Sequence, residues 1–166
     1  MNNWYYIENT EDDAQELLEM FWEFHDFRIQ NINYNLEKDI IDLILEYDSD
    51  DLQVQLRFIH IYDFNFAPPG DYLADWLAGT ILLITSSGAI MWISADDIER
   101  EDQVSKYDTW IKSKELHYAV IDEYGKPKEI PAIIIDQKGC ALDFETKQYE
   151  HIEKHYSPKK LSEKTV

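Results

Sequence analysis

Near its start the chain has apolar residues that recur with the period of an α-helix. Thr10 lies three residues before Asp13, a variant of the capping-box pattern, and acidic residues fill the first turn, where the helix dipole favours them. The apolar positions follow at i, i+3, i+4, i+7 and i+8: Ala14, Leu17, Leu18, Phe21 and Trp22. This spacing predicts an amphipathic helix over about residues 11–23 that packs its apolar stripe on a sheet.

After this helix the hydrophobic period changes from 3.6 to 2, which is typical of β-strands. The alternation is clearest over residues 41–47 and 52–62, and the polar link between them is short enough for a hairpin. Residues 28–35 are expected to form a third strand. Ile29 and Ile32 would fall on opposite faces of that strand, so we expect a bulge or a change of the buried face between them.

A long uncharged run, Trp76 to Ala95, has enough length to cross a bilayer. Both of its flanks are acidic, and no cluster of Lys or Arg anchors either end. A Thr-Ser-Ser-Gly sequence at 85–88 divides the run into two pieces of strand length. We therefore interpret the run as a buried hairpin of residues 80–84 and 89–93 and not as a membrane segment.

The remaining hydrophobic stretches predict further strands over residues 116–121, 132–135 and 141–144. Turn signals at residues 124–127 and 137–139 separate them. Because strand signals follow one another with links of hairpin length, we expect an α+β fold. In this fold the N-terminal amphipathic helix packs on a mostly antiparallel, meander-like β-sheet.

Composition adds a strong asymmetry of charge to this picture. The chain has 45% hydrophobic residues, enough for a packed core, and a net charge of −19. Residues 1–103 contain 23 acidic and 4 basic residues, whereas residues 104–166 contain 11 of each. We expect an acidic helix-plus-sheet region at 1–103, a neutral strand-rich region at 104–156 that continues the same domain, and a flexible tail at 157–166.

The negative field of the acidic region bears on the possible partners and on the compartment. Such a field repels nucleic acid and anionic membranes and attracts basic proteins. Residues 1–13 carry no Lys or Arg and no apolar run, so they predict no targeting peptide, and Cys140 has no internal partner for a disulfide. The expected location is the cytoplasm.

The motifs of common catalytic and metal sites do not occur in the sequence. It contains no phosphate loop, dinucleotide fingerprint, nucleophile elbow or CxxC pair. His151 and His155 have the spacing of zinc ligands but lack the Glu of a metalloprotease, and His60 is interpreted as a hydrogen-bonded core residue. We therefore expect no catalytic residues, no metal and no cofactor.

Several short motifs within residues 20–95 carry a resemblance to known proteins. They are Phe24-His25-Asp26-Phe27-Arg28-Ile29, the strand Ile40 to Tyr47, Leu56-Arg57-Phe58, and Tyr62-Asp63-Phe64. Together they resemble small acidic bacterial proteins of unassigned function, some of them grouped with immunity proteins of polymorphic toxin systems. The resemblance implies a stoichiometric binder that occludes a basic toxin and has no catalytic residues.

Three hypotheses for the function follow. The first is a non-enzymatic acidic binding protein that contacts a basic protein through exposed carboxylates: Glu16, Glu19, Glu23, Asp48, Asp50 and Asp51. The alternative is a small-molecule binder or enzyme that uses an aromatic-lined cleft of the sheet: His60, Trp76, Trp92 and Trp110. The third is a structural or oligomerisation module with an apolar surface. The sequence leaves the oligomeric state open.

Overall fold

The computed structural model describes residues 2–47, 52–67, 77 and 79–164, and within them the fold is α+β with a mostly antiparallel sheet, as predicted. The helices are α1 (Glu11–Met20) and α2 (Ala132–Ile135). The strands are β1 (Tyr5–Tyr6), β2 (Phe27–Asn35), β3 (Ile40–Tyr47), β4 (Gln53–Asn65), β5 (Ile81–Ile84), β6 (Ile90–Ile93), β7 (Trp110–Ile121), β8 (Pro127–Lys128), β9 (Asp136–Leu142), β10 (Tyr149–His155) and β11 (Lys159–Lys160).

Most of the strands belong to one antiparallel sheet, which has the order β11-β1-β7-β4-β3-β2. β6 also pairs with the first part of β7, β5 pairs with β6, and β8 pairs with the end of β7. The long strand β7 thus joins the N-terminal meander of β2, β3 and β4 to the hairpin of β5 and β6. β9 and β10 form a separate two-stranded sheet.

Helix α1 begins where the sequence predicts. The Thr10 hydroxyl accepts a hydrogen bond from the backbone N–H of Asp13 at 3.2 Å. The apolar residues Ala14, Leu17 and Leu18 are buried in the same cluster as strand residues such as Leu43 and Leu56.

The predicted end of α1 at residue 23 is wrong, because the helix ends at Met20. Trp22, Glu23 and Phe24 have positive φ angles of 53°, 56° and 54°, which α-helical residues do not adopt. This turn takes Trp22 off the buried stripe, so its side chain is 47% exposed.

The predicted strands of the N-terminal meander are confirmed, including the bulge in β2. The predicted hairpin of residues 80–84 and 89–93 is confirmed as β5 and β6. Both faces of β6 are buried: Ile90 and Trp92 belong to the main core, whereas Met91 and Ile93 pack against Ile98 in a second cluster. Across the described residues, no helix is long and apolar enough to cross a membrane.

The strand predicted over residues 132–135 is wrong, because these residues form the single turn α2. The Pro131 carbonyl accepts hydrogen bonds from Ile134 and Ile135 N–H at 2.9 and 3.3 Å, which closes a helical turn. Local hydrogen bonding outweighs the β propensity of the isoleucines here.

The turn predicted at residues 137–139 and the strand predicted at 141–144 are also displaced. Gly139 lies inside β9 and does not have a positive φ, and the turn lies between Asp143 and Gln148. The Asp143 carboxylate accepts hydrogen bonds from the N–H groups of Glu145 and Thr146, so an Asx turn takes the place of the glycine turn.

Within residues 157–166, the segment expected to be a flexible tail, strand β11 pairs with β1.

Candidate functional site

A groove of about 560 Å³ follows the outer edge of strand β5. Five consecutive residues, Thr80 to Ile84, line this groove. Side chains alternate between the two faces of a strand, so a cavity that contacts every residue runs along the backbone edge. Among the residues that the structure describes, β5 pairs only with β6. Within the described part of the chain, the outer edge therefore presents backbone N–H and C=O groups without a partner strand.

Two walls flank this edge. One wall is the face of α1 that carries Glu11, Asp12 and Gln15. Leu18 of the same helix reaches the groove and packs in the main core together with Leu82. The other wall is the segment after β6, which is anchored by Ile98 in the second cluster on the opposite face of the hairpin. The groove therefore has one wall on each face of β5.

The rim of the groove is acidic. Five exposed carboxylates line it, and the described lining residues include no Lys or Arg: Glu11, Asp12, Glu23, Asp96 and Glu99. None of the five forms an ion pair with a described residue, whereas the nearby Glu101 pairs with Lys112 at 2.9 Å. Unpaired like charges around one cavity repel one another and favour a cationic occupant. Between the two walls, the apolar residues of β5 form the floor of the groove: Ile81, Leu82, Leu83 and Ile84.

The left-handed turn after α1 places Glu23 at the rim. The Glu23 carbonyl accepts hydrogen bonds from the backbone N–H and the hydroxyl of Thr80, at 2.8 and 3.2 Å. These bonds join the end of α1 to the start of β5. A left-handed backbone costs a non-glycine residue about 1–2 kcal/mol, and three successive residues adopt it here. Strain of this kind often accompanies a functional site.

Three of the carboxylates predicted for partner binding lie among the described residues, and of these Glu23 lies at the groove. Glu16 accepts a hydrogen bond from Ser157 N–H at 3.2 Å, and Glu19 lies 3.9 Å from the ammonium of Lys154, so both are directed toward the C-terminal part of the chain. Asp48, Asp50 and Asp51 lie outside the described residues.

Four of the groove carboxylates were not predicted as contacts. In the sequence, Glu11 and Asp12 are explained by the helix dipole, and Asp96 and Glu99 fall in the charged segment near the boundary between the acidic and the neutral regions. Their common feature is that they flank an uncharged hairpin in space, on either side of β5. In the sequence, the one indication of acidic residues around the hairpin is that acidic residues border the uncharged run at 76–95.

The aromatic residues predicted to line a cleft are also dispersed. Trp92 is 0% exposed in the main core, and Trp110 packs on the second cluster, on the other face of the sheet. His60 is not a core residue as expected, because its positive φ of 57° at the irregular part of β4 turns it outward, 3.7 Å from Asp39. Trp76 lies outside the described residues.

Two other cavities provide alternatives to the groove. An apolar cleft of about 610 Å³ is lined by Trp22, Tyr47 and Ile133, with Leu52 and Ile134 beside them. A further cavity of about 860 Å³ has three lysines, but Lys112 pairs with Glu101 and Lys164 lies 3.6 Å from Glu115. These ion pairs leave that cavity with little net charge.

In the part of the chain that the structure covers, no group of three or more His, Cys, Asp or Glu side chains has the arrangement of a metal site. Comparisons with protein-family models, with curated proteins and with solved structures find no match for this chain. A functional assignment therefore depends on the geometry and charge of the groove and clefts described above.

Proposed function

We propose that this chain is a non-enzymatic acidic binding protein that holds a basic segment of a protein partner in the β5 groove, in the manner of an immunity protein. The observation that carries the proposal is the coincidence of an open strand edge with five carboxylates that have no ion-pair partner among the described residues. Either feature alone is common, but together they fit an extended cationic segment.

The binding mode follows from strand geometry. An extended segment that pairs with β5 satisfies the open backbone groups and points alternate side chains to opposite faces of the sheet. One set of Lys or Arg side chains then reaches Glu11 and Asp12 on the α1 wall. The other set reaches Asp96 and Glu99 on the second wall. Binding relieves the repulsion among these carboxylates and needs no chemical step.

The first experiment measures binding of a fluorescent peptide of alternating Lys and Val by anisotropy. The test variant carries Glu23→Gln, Asp96→Asn and Glu99→Gln. A control removes the same charge at exposed acids outside the groove, with Glu37→Gln, Glu123→Gln and Glu129→Gln. We expect the groove variant to bind about tenfold more weakly, because each exposed pair contributes about 0.2–1 kcal/mol. An equal loss in the control would contradict the groove as the site.

A second peptide tests the strand edge independently of charge. Methylation of alternate backbone nitrogens keeps every ammonium group but removes the donors that would pair with β5. We expect this peptide to bind more weakly at low salt than the unmodified peptide does. Equal affinity of the two peptides would mean that the negative field attracts the peptide without strand pairing, and the proposed mode would be wrong.

A second candidate function is the binding of a small apolar molecule in the cleft beside Trp22 and Tyr47. The exposed Trp22 ring, 6.1 Å from that of Tyr47, is the observation that favours it. The dye anilinonaphthalene sulfonate serves as a probe, with Ile133→Lys as the variant that blocks the cleft. A small apolar ligand that raises the Tm of the wild type but not of this variant would support binding in the cleft. If the Lys-Val peptide also failed to bind, this function would be favoured over the first.

A further inference from the structure

The hairpin of β9 and β10 stands apart from the main sheet. In the described structure β10 pairs only with β9, and all seven residues of β10 are exposed. Two contacts join the hairpin to the rest of the protein: the Gln137 amide donates a hydrogen bond to the Met20 carbonyl at 2.9 Å, and the Lys154 ammonium approaches the Glu19 carboxylate. An isolated two-stranded sheet is marginally stable, and an open strand edge is a template for another strand.

The residues of β10 have a symmetric order of charge about Ile152. The strand reads Tyr149-Glu150-His151-Ile152-Glu153-Lys154-His155. In an antiparallel pair of two identical strands with the two-fold axis at Ile152, Glu150 lies opposite Lys154 of the second copy. In the same register His151 lies opposite Glu153 of the second copy. The two Glu150–Lys154 pairs place opposite charges in direct cross-strand positions, which stabilises a sheet, and the histidine ring faces a carboxylate acceptor.

Other registers lack this match. An axis at His151 places Glu150 opposite an isoleucine, and an axis at Glu153 places the two histidines opposite each other. An axis between Ile152 and Glu153 places His151 opposite Lys154 of the second copy. Charge therefore selects the register that is centred on Ile152.

The overall distribution of charge favours the same surface. A second copy brings another net charge of −19, so the acidic region of one copy repels that of the other. Residues 104–166, which include the hairpin, have equal numbers of acidic and basic residues. Exposed apolar side chains on the hairpin, such as Tyr149 and Ile152, add area that association would cover.

We propose that β10 pairs with β10 of a second copy across a two-fold axis at Ile152 to form a four-stranded antiparallel sheet. A two-fold axis through one strand pair gives a closed, self-complementary dimer. This dimer does not depend on the proposed function, because β5 and β10 belong to different sheets and either can be tested with the other unchanged.

Charge exchange tests the register. Glu150→Lys alone places two lysines opposite each other at both symmetric positions, and Lys154→Glu alone does the same with two glutamates. We expect each variant to self-associate about tenfold more weakly than the wild type in sedimentation velocity. We expect the double variant, and a mixture of the two single variants, to associate as the wild type does. Turn variants Glu145→Lys and Lys147→Glu change the net charge equally and are expected to leave association unchanged.

Cross-linking tests the position of the axis. In a Cys140→Ser background, Ile152→Cys places two thiols directly opposite each other, and mild oxidation should give a covalent dimer. Tyr149→Cys in the same background faces His155 of the second copy and should give little. A wild-type chain that stays monomeric at the highest attainable concentration would overturn the proposal, as would equal cross-linking at residues 149 and 152 or a mixture of the single-charge variants that fails to associate.

Discussion

The main sheet contains strands of up to 13 residues, whereas β9 and β10 have seven residues each, and the two sheets are stabilised by different interactions. In β3 and in the first half of β4 alternate side chains such as Leu43, Leu56 and Phe58 are 0% exposed, so one face of the sheet is buried there. In β10 every side chain is exposed. The burial of apolar area stabilises the first pair of strands, whereas turn chemistry and a few tethers hold the second.

The two strand edges for which we propose partners also differ in their charge. The described residues that line the β5 groove include five acidic and no basic side chains, which is the basis for the proposed cationic partner. The β10 edge has both signs in a symmetric order, so it suits an identical chain. The proposed partners of the two edges differ for this reason.

Among the changes that test this difference, the loss of a core aromatic side chain is expected to have the largest effect on the free energy of unfolding. Phe58 pairs with Ile41 and Leu116 across the sheet and packs near Trp92. We expect Phe58→Ala to lower the free energy of unfolding by about 3–5 kcal/mol. We expect Tyr149→Ala on the hairpin to change it by no more than about 0.5 kcal/mol. Urea unfolding measures both variants, and similar losses would show that the hairpin contributes to the cooperative core.

The main sheet could be predicted from the sequence because its pattern reflects burial. Ile41, Leu43 and Leu45 alternate with more exposed residues, and the same positions are buried in β3. Predictions failed where local hydrogen bonds outweigh propensity. At Pro131 a helical turn forms among isoleucines, and at Asp143 an Asx turn replaces the one expected at Gly139.

The candidate site was less predictable than the fold. The excess of acid before residue 104 was visible in the sequence, but the selection of Asp96 and Glu99 depends on the burial of Ile98 between them. The turn at Glu23 uses a left-handed backbone at residues that rarely adopt it, so no sequence rule would place that side chain at the rim. Contacts between distant segments assemble the groove, and the sequence periodicity does not report them.

Lowering the pH is expected to have a smaller effect on the free energy of unfolding. His117 lies buried on β7 between Tyr6 and Arg57, and burial lowers its pKa despite the neighbouring Glu115. In the unfolded chain His117 binds a proton near pH 6.5, whereas in the folded chain it stays neutral to a lower pH. The free energy of unfolding therefore falls as the pH drops below 6.5, until the folded-state pKa is reached.

Urea unfolding at a series of pH values tests this prediction for the main sheet. The wild type should lose stability in the range just below pH 6.5, and His117→Gln should show a smaller slope there, because glutamine takes up no proton in either state. The readout is the slope, so a constant loss of stability in the variant does not affect it. Equal slopes in the two proteins would mean that His117 is not the group responsible.

The smallest effect is expected at the hairpin turn, and it should remain local. The N–H groups of Glu145 and Thr146 donate to the Asp143 carboxylate at 2.9 and 3.3 Å, which lowers the pKa of this group. Because the ionised form accepts these bonds, its contribution to stability is present above the ordinary pKa near 3.8 and is lost as the pH falls through the lower folded-state value.

We expect Asp143→Ala to speed hydrogen exchange in β9 and β10 at neutral pH while the urea midpoint stays unchanged. The measurement belongs at low protein concentration, where pairing between copies does not protect β10. If amide exchange is slower in β3 than in β10 in both proteins, and the variant changes exchange only in the hairpin, the two sheets open independently. A shifted urea midpoint would show that they unfold together.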